Sequence, residues 1–261
     1  TNPTVYEHDV ADTQNNLAYL YNRAQRYTES EKMYKSALEI RERLAKTNPT
    51  VYEHDVADTQ NNLAILYCET QRYAESEEMF KSVLEIRERL AKANPTVYEH
   101  DVAMTQNNLA NLYYNTERYA ESEAMFKDCY NIYLELYEKS PQLYQKKLLE
   151  SLYKAGNVMC ILGKYGDAII PLEQALPLAR SLVQKDTLCF YSYAQVLDCI
   201  EQLYINKGDI VSGYRYNSEL LPIAKHLFNN NTQKMRQFYL DKLSHQAFYT
   251  VLLGKFTEGE K

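Results

Sequence analysis

Apolar side chains return every three or four positions along the first stretch of the chain. Leu17, Leu20 and Tyr21, with Ala18 beside them, mark one face of a helix, which the spacing places over residues 9–22. Asp9 suits its N-cap, because a carboxylate there accepts from free first-turn amides. A second stripe follows in Ser30, Met33, Tyr34, Ala37, Leu38, Arg41 and Leu44, predicting a helix over residues 28–46. Ala18, Ser30 and Ala37 are small, so the two backbones can approach closely.

The pattern then repeats. TNPTVYEHDVADTQNNLA begins at Thr1 and recurs intact from Thr47, and ANPTVYEHDVAMTQNNLA follows from Ala93, a period of about 46 residues. Weaker echoes continue the frame. Pro3, Pro49 and Pro95 lead to Pro141, and Tyr27, Tyr73 and Tyr119 lead to Tyr165. PLARSL from Pro177 returns as PIAKHL from Pro222, and GKY from Gly163 as GDI from Gly208 and GKF from Gly254. The reading is one array over 1–261, with repeats at about 1–46, 47–92, 93–138, 139–185 and 186–229 and a partial sixth at 230–261, cut off just after Phe256. That gives about eleven helices, antiparallel within each pair, and no sheet; the last is expected near residues 232–253. The Asn2-Pro3 type of junction breaks the chain between units, since proline lacks an amide and restricts its predecessor. Pro171, Pro177 and Pro222 fall inside second helices and are expected to bend them or delay their start.

DVAxTQNNLAxLY followed by RYxESExMYKxALEI resembles a tetratricopeptide repeat, most nearly the kinesin-light-chain type, and near-identical tandem arrays of this kind also resemble bacterial members. The resemblance covers residues 10–132 and, less closely, 156–224. It implies an all-α, right-handed superhelical solenoid whose first helices line a concave groove, and a protein-interaction scaffold. The unit exceeds the family's minimal length of about 34 residues. The surplus is expected in a longer second helix and an NPTVYE connector.

Composition narrows the classes. The 25 Tyr, no Trp, and only 7 Gly and 7 Pro fit a thin, mostly helical structure. A formal net charge of -6 disfavours nucleic acid, whose binding rests on clustered Lys and Arg. No apolar run reaches the length of a membrane span, and no leader is visible. Cys68, Cys129, Cys160, Cys189 and Cys199 are odd in number and never form Cys-x-x-Cys, so they read as thiols of a reducing, cytoplasmic setting. No phosphate loop, nucleophile elbow or metalloprotease motif occurs, so neither enzyme nor cofactor is expected.

The first three repeats differ from one another mainly along one stripe of the first helix: Asp12/Asp58/Met104, Tyr19/Ile65/Asn111, Asn22/Cys68/Tyr114, Arg23/Glu69/Asn115 and Ala24/Thr70/Thr116. A fixed packing face beside a drifting one suggests a retuned recognition surface; neutral drift on a solvent face is the alternative. The doubled asparagines Asn15–Asn16, Asn61–Asn62 and Asn107–Asn108 sit mid-helix, where Asn is a middling former. One of each pair is expected to be structural. The other, Asn16, Asn62 or Asn108, is expected to grip a partner's backbone from the groove. The candidate site is therefore Asn16, Asn62, Asn108, Asp12, Asp58, Tyr19, Ile65, Asn111, Arg23, Glu69 and Asn115. Tyr153 and Lys154 occupy the Asn positions in the fourth unit, so the grip should weaken there. His8, His54 and His100 recur once per repeat, too far apart for one metal ion, and are expected to face solvent or the connector. EIRERLAK, from Glu39 and Glu85, reads as a solvated outer face, and the turn tyrosines Tyr27, Tyr73, Tyr119 and Tyr165 as core wedges. The expected partner is a protein or peptide. The rival is a regulatory or self-assembly module of a larger protein, associating through the exposed ends of the array.

Overall fold

The computed structural model describes residues 3–230 and 234–254. Among these, eleven α-helices and one short 3-10 turn occur, with no strand, as the period predicts. The helices are α1 (Pro3–Arg23), α2 (Tyr27–Thr47), α3 (Pro49–Glu69), α4 (Tyr73–Ala93), α5 (Pro95–Asn115), α6 (Tyr119–Lys139), α7 (Pro141–Ile161), α8 (Tyr165–Lys185), α9 (Phe190–Asn206), α10 (Ile210–Asn230) and α11 (Lys234–Leu252). The 3-10 turn Thr187–Cys189 precedes α9. Phe256 lies outside the described residues.

The first eight helices are 21 residues each, which corrects the expected boundaries. NPTVYE is not a connector. Pro49, Pro95 and Pro141 are first helical residues, where a missing amide costs nothing and the fixed φ suits the helix. Only Asn48 separates α2 from α3; its carbonyl accepts from the Val51 and Tyr52 amides at 3.2 Å each. Asp9 is accordingly mid-helix, not an N-cap, and its carbonyl accepts from the Thr13 hydroxyl at 2.8 Å. The surplus length is shared by both helices of each pair.

Within a pair, a tight turn folds the chain back. It passes through Gln25, Gln71 or Glu117 at φ near +60°, and through Gly163 or Gly208 in later repeats. The Arg72 amide reaches the Tyr67 carbonyl at 2.8 Å and the Gln71 amide that of Cys68 at 3.1 Å, closing the helix end. The turn tyrosines are half-buried, and Tyr27 and Tyr73 pack on the core.

Two compact units divide the chain, Thr1–Ile132 and Tyr133–Lys261. In the first, small residues set the crossing inside each pair. The fully buried Ser30, Ser76 and Ser122 hydroxyls donate to the carbonyls of Ala18, Ala64 and Ala110, each at 2.8 Å. Between pairs, Leu63, Leu66 and Tyr67 of α3 pack on Tyr34 of α2 and Ala18 of α1. Leu109, Leu112 and Tyr113 pack on Phe80 and Ala64 in the same manner.

In the second unit Gly156 takes the place of Ala110, and a Cβ there would lie 2.5 Å from Leu172 Cγ, so glycine is required for this crossing. The fifth repeat departs further. Glu201, fully buried, stands at the small-residue position and accepts from Asn217 Nδ2 at 3.0 Å and Lys242 Nζ at 2.9 Å. The His245 Nδ1 and Tyr249 hydroxyl also reach it, at 2.8 and 3.3 Å, so α11 docks through a buried polar cluster. Pro171, Pro177 and Pro222 delay neither helix: α8 and α10 start in register and run through them. Pro171 is buried among Ala168, Leu172 and Ala175, so its ring adds apolar contact that offsets part of the lost hydrogen bond.

Candidate binding surface on the first helices

The asparagines join one first helix to the next. Asn62 Nδ2 donates to Asn15 Oδ1 at 3.3 Å, and Asn108 Nδ2 to Asn61 Oδ1 at 3.1 Å. Asn61 is buried, Asn62 and Asn108 are half-buried, and Asn16 is exposed. Asn15 and Asn61 are thus acceptors of inter-repeat bonds, and Asn62 and Asn108 each spend a donor on one.

Asp12 and Asp58 are engaged as well. Arg41 Nη2 reaches Asp12 Oδ1 at 2.5 Å and Arg87 Nη2 reaches Asp58 Oδ1 at 2.6 Å. Nη1 of Arg41 donates onward to the Asp55 carbonyl (2.9 Å) and the Thr59 hydroxyl (2.7 Å); Arg87 does the same to Asp101 (3.1 Å) and Thr105 (2.9 Å). Each guanidinium clamps two successive first helices. Arg41 and Arg87 are buried, which corrects the solvated reading of EIRERLAK at these two residues. The other charged residues of the two runs are exposed as expected, and Arg43 and Arg89 pair with Glu7 and Glu53 at 3.0 and 2.9 Å. Arg41 lies on the stripe with Ala37 and Leu44, and that placement, not the charge of the run, determines its burial. The third repeat carries Met104 and Tyr133 at the paired positions, so part of the drifting stripe records replacement of a whole ion pair.

The remaining candidates spread by exposure. Tyr19, Arg23, Glu69 and Asn115 are exposed, while Ile65 and Asn111 are half-buried. Ile65 packs against the core of the second and third repeats, and Asn111 Nδ2 donates to the Asn107 carbonyl at 2.6 Å.

The histidines also form a ladder. His8 Nε2 lies 3.2 Å from Asp55 Oδ2, and His54 contacts Asp55 at 3.2 Å and Asp58 at 3.3 Å. His8 and His54 sit within α1 and α3, His8 half-buried and His54 exposed, so they lie on helices and not in a connector, and His54 faces solvent as expected. The Asp55 hydrogen bond, with Asp58 and Asp101 nearby, holds the His54 pKa above its ordinary value. Burial pulls Asp55 upward, but His54, Arg41 and His8 outweigh it and hold its carboxyl low. Among the described residues no His, Cys, Asp and Glu group fits a metal ion.

At the turns, the Arg72 guanidinium stacks 4.0 Å over the Tyr67 ring and reaches back to Glu31 at 2.8 Å. Arg118 repeats this over Tyr113 toward Glu77, and its hydrogen bond, with Lys81, holds Glu77 down at about 2. In the second unit Tyr153 and Lys154 stand at the positions of the paired asparagines. They line a cavity of about 420 Å³ with Lys146, Leu149, Leu182 and Val196, which the sequence did not reveal. Among the described residues no helix is long and apolar enough to cross a membrane.

Comparison with known proteins agrees with this architecture. Models of the tetratricopeptide repeat match residues 10–49 and 56–95, and another matches 101–181, together more than half the chain. No curated protein sequence matches it. Among solved structures, the chain is similar to BtubC (BKLC) from P. vanneervenii, at TM-score 0.68 and 18% identity over 89% of this chain and 85% of that one. A putative kinesin light chain with nearly identical TPR-like repeats from Podosopora anserina has TM-score 0.61 and 16% identity over 87% and 99%. Aspartyl phosphate phosphatase F from Bacillus subtilis has TM-score 0.64 and 14% identity over 97% and 62%. At these identities the likeness shows the shared fold, and with the sequence matches it establishes that this chain belongs to the tetratricopeptide repeat family.

Proposed function

We propose that the chain is a non-catalytic scaffold that holds an extended segment or a helix of a partner protein against its first helices. The observation that supports this reading is the division of labour on α1, α3 and α5. Leu63, Leu66, Leu109 and Leu112 are spent on packing. Asn16, Tyr19, Arg23, Glu69 and Asn115 are exposed on the same helices and differ from repeat to repeat at all but the Asn position. Exposed amides, a phenol and charges of both signs suit a peptide backbone and mixed side chains. Asn62 and Asn108 retain half-buried amides beside that surface, and Asp12 and Asp58 present carboxylate edges already oriented by arginine.

The test is capture of partners from a lysate of the source cells by the wild-type chain and two variants. One carries Tyr19→Ala, Glu69→Ala and Asn115→Ala on first helices; the other carries Arg43→Glu and Arg89→Glu on second helices. The reading expects the first variant to lose a wild-type band at unchanged melting temperature. It fails if the second variant loses the band and the first retains it.

A further inference from the structure

First helix meets first helix where α1 lies beside α3, α3 beside α5 and α7 beside α9. In the first two clefts a long side chain from the intervening second helix fills the middle. Arg41 bridges Asp12 and the Asp55 carbonyl, and Arg87 bridges Asp58 and the Asp101 carbonyl. Counted from the turn tyrosines Tyr27 and Tyr165, the same position on α8 is Ala179, which is buried and ends at its β-carbon. The next first helix is altered too. α9 begins at Phe190, after the 3-10 turn ending in Cys189, and runs 17 residues where α3 and α5 run 21. Both changes open space, and the 420 Å³ cavity lies there. Glu150, at the position of Asp12, lines it, as do Ser192 and Val196 at the positions of Asp55 and Thr59. Its walls come from α7, α8, the 3-10 turn and α9 of one compact unit.

Charge has changed along with space. The carboxylates of Asp12 and Asp55 flank Arg41, with His8 and Asn16 one turn either side of Asp12. Around the cavity Lys146 stands at the His8 position, Lys154 at the Asn16 position and Ser192 at the Asp55 position, and Glu150 alone keeps a carboxylate. A cation is missing from the centre and two stand at the rim, so the electrostatic complement is an anion and not a guanidinium. Lys154 pairs with Glu150 at 2.7 Å and Lys146 with Asp186 at 3.0 Å. These pairs are partly exposed and contribute little, so both ammoniums can turn to a ligand. The floor is apolar: Leu149, Leu182 and Val196 are buried. The volume falls within the range of small-molecule sites.

We propose that this cavity binds a free organic acid, its carboxylate between Lys146 and Lys154 and its flat or aliphatic body on Leu149, Leu182 and Val196. An acidic side chain of a partner is a poorer match, because it brings too little apolar surface for that floor. The site is independent of the scaffold reading, which concerns α1, α3 and α5.

The probe is benzoate, titrated into the full chain and followed by amide shifts in nuclear magnetic resonance. Saturable shifts are expected on α7 and α9, with benzyl alcohol and benzylamine at least about tenfold weaker. Lys146→Gln with Lys154→Gln should reduce benzoate to the level of benzyl alcohol at unchanged melting temperature, since both side chains lie at the rim. Ser192→Phe, at the half-buried mouth, and Val196→Phe, in the floor, should each abolish the shifts; the first serves if the second does not fold. No saturable shift at millimolar benzoate overturns the proposal. So does benzyl alcohol binding as well as benzoate, which removes the role of charge, or benzylamine binding better, which keeps the cation preference of the Arg41 cleft. A capped tripeptide with a central glutamate that matches benzoate overturns it as well, since the ligand is then a partner's side chain. Shifts that survive Ser192→Phe place binding elsewhere and overturn it too.

Discussion

Arg87 Nη2 lies 2.6 Å from Asp58 Oδ1, and the guanidinium that makes this bond is only 2% exposed while the carboxylate sits at the surface. The buried partner therefore dominates the energetics. Arg87→Ala should destabilise the chain by about 3 kcal/mol, because it strips hydrogen bonds from Thr105 and the Asp101 carbonyl and opens a void. The third repeat suggests a compensated state, since Met104 and Tyr133 stand at the two positions. Asp58→Met with Arg87→Tyr should recover at least half of that loss. Urea midpoints over the double-mutant cycle check this; a double variant no more stable than the sum of its singles refutes the pairing.

The two asparagines of a pair should separate cleanly. Asn61 is buried and accepts from Asn108, so Asn61→Ala should cost about 1–3 kcal/mol by orphaning that donor. Asn16 is exposed, and Asn16→Ala should stay within about 0.5 kcal/mol of wild type. Equal losses in thermal melts would show that the ladder is not the structural element described.

The His–Asp ladder gives stability a pH profile with two limbs. His54 has its pKa raised above 6.5, so its contribution is complete below 6.5 and is lost as pH rises through the folded value. Asp55 has its pKa lowered below 3.8, so its contribution is present above 3.8 and is lost as pH falls through the folded value. The ladder is strongest between those limits. His54→Gln should flatten the upper limb in denaturant midpoints measured from pH 5 to 9 and leave other limbs in place. An upper limb as steep in the variant assigns the effect elsewhere.

The left-handed turns hold a correctable strain. Gln71 adopts φ 62° where later repeats use glycine. A β-carbon in this conformation costs about 1–2 kcal/mol, partly offset by the greater freedom glycine brings to the unfolded chain. Gln71→Gly should therefore raise stability by about 0.5–1 kcal/mol, read from urea midpoints. Destabilisation would mean that the Gln71 side chain supplies a contact larger than the strain.

Helix number, pairing and the apolar stripe were legible because near-identical repeats reinforce a 3.6-residue period. The helix starts were not. Pro49 reads equally as a breaker or as a first helical residue, and the choice depends on whether the preceding carbonyl caps the turn, as Asn48 does. Arg41 stood both on the stripe with Ala37 and Leu44 and in a charged run expected to be solvated, and the stripe determined its burial. Pro171 was weighed by its lost amide alone, without the core that receives its ring. Of the candidate surface, the drifting positions were visible, but the bonds of Asn62 to Asn15 and of His8 to Asp55 depend on inter-repeat geometry that no single repeat encodes.

The one-residue joints at Asn48 and Asn94, set against helices of constant length, bear on how such an array changes in number. Since each of the first three units ends in a one-residue joint, a duplication or excision of one period within them rejoins the chain in register. The product is again a run of complete helix pairs with intact ladders. The gene segment is thus free to lengthen or shorten by recombination between its own repeats, and the surface positions are free to diverge afterwards, one period at a time.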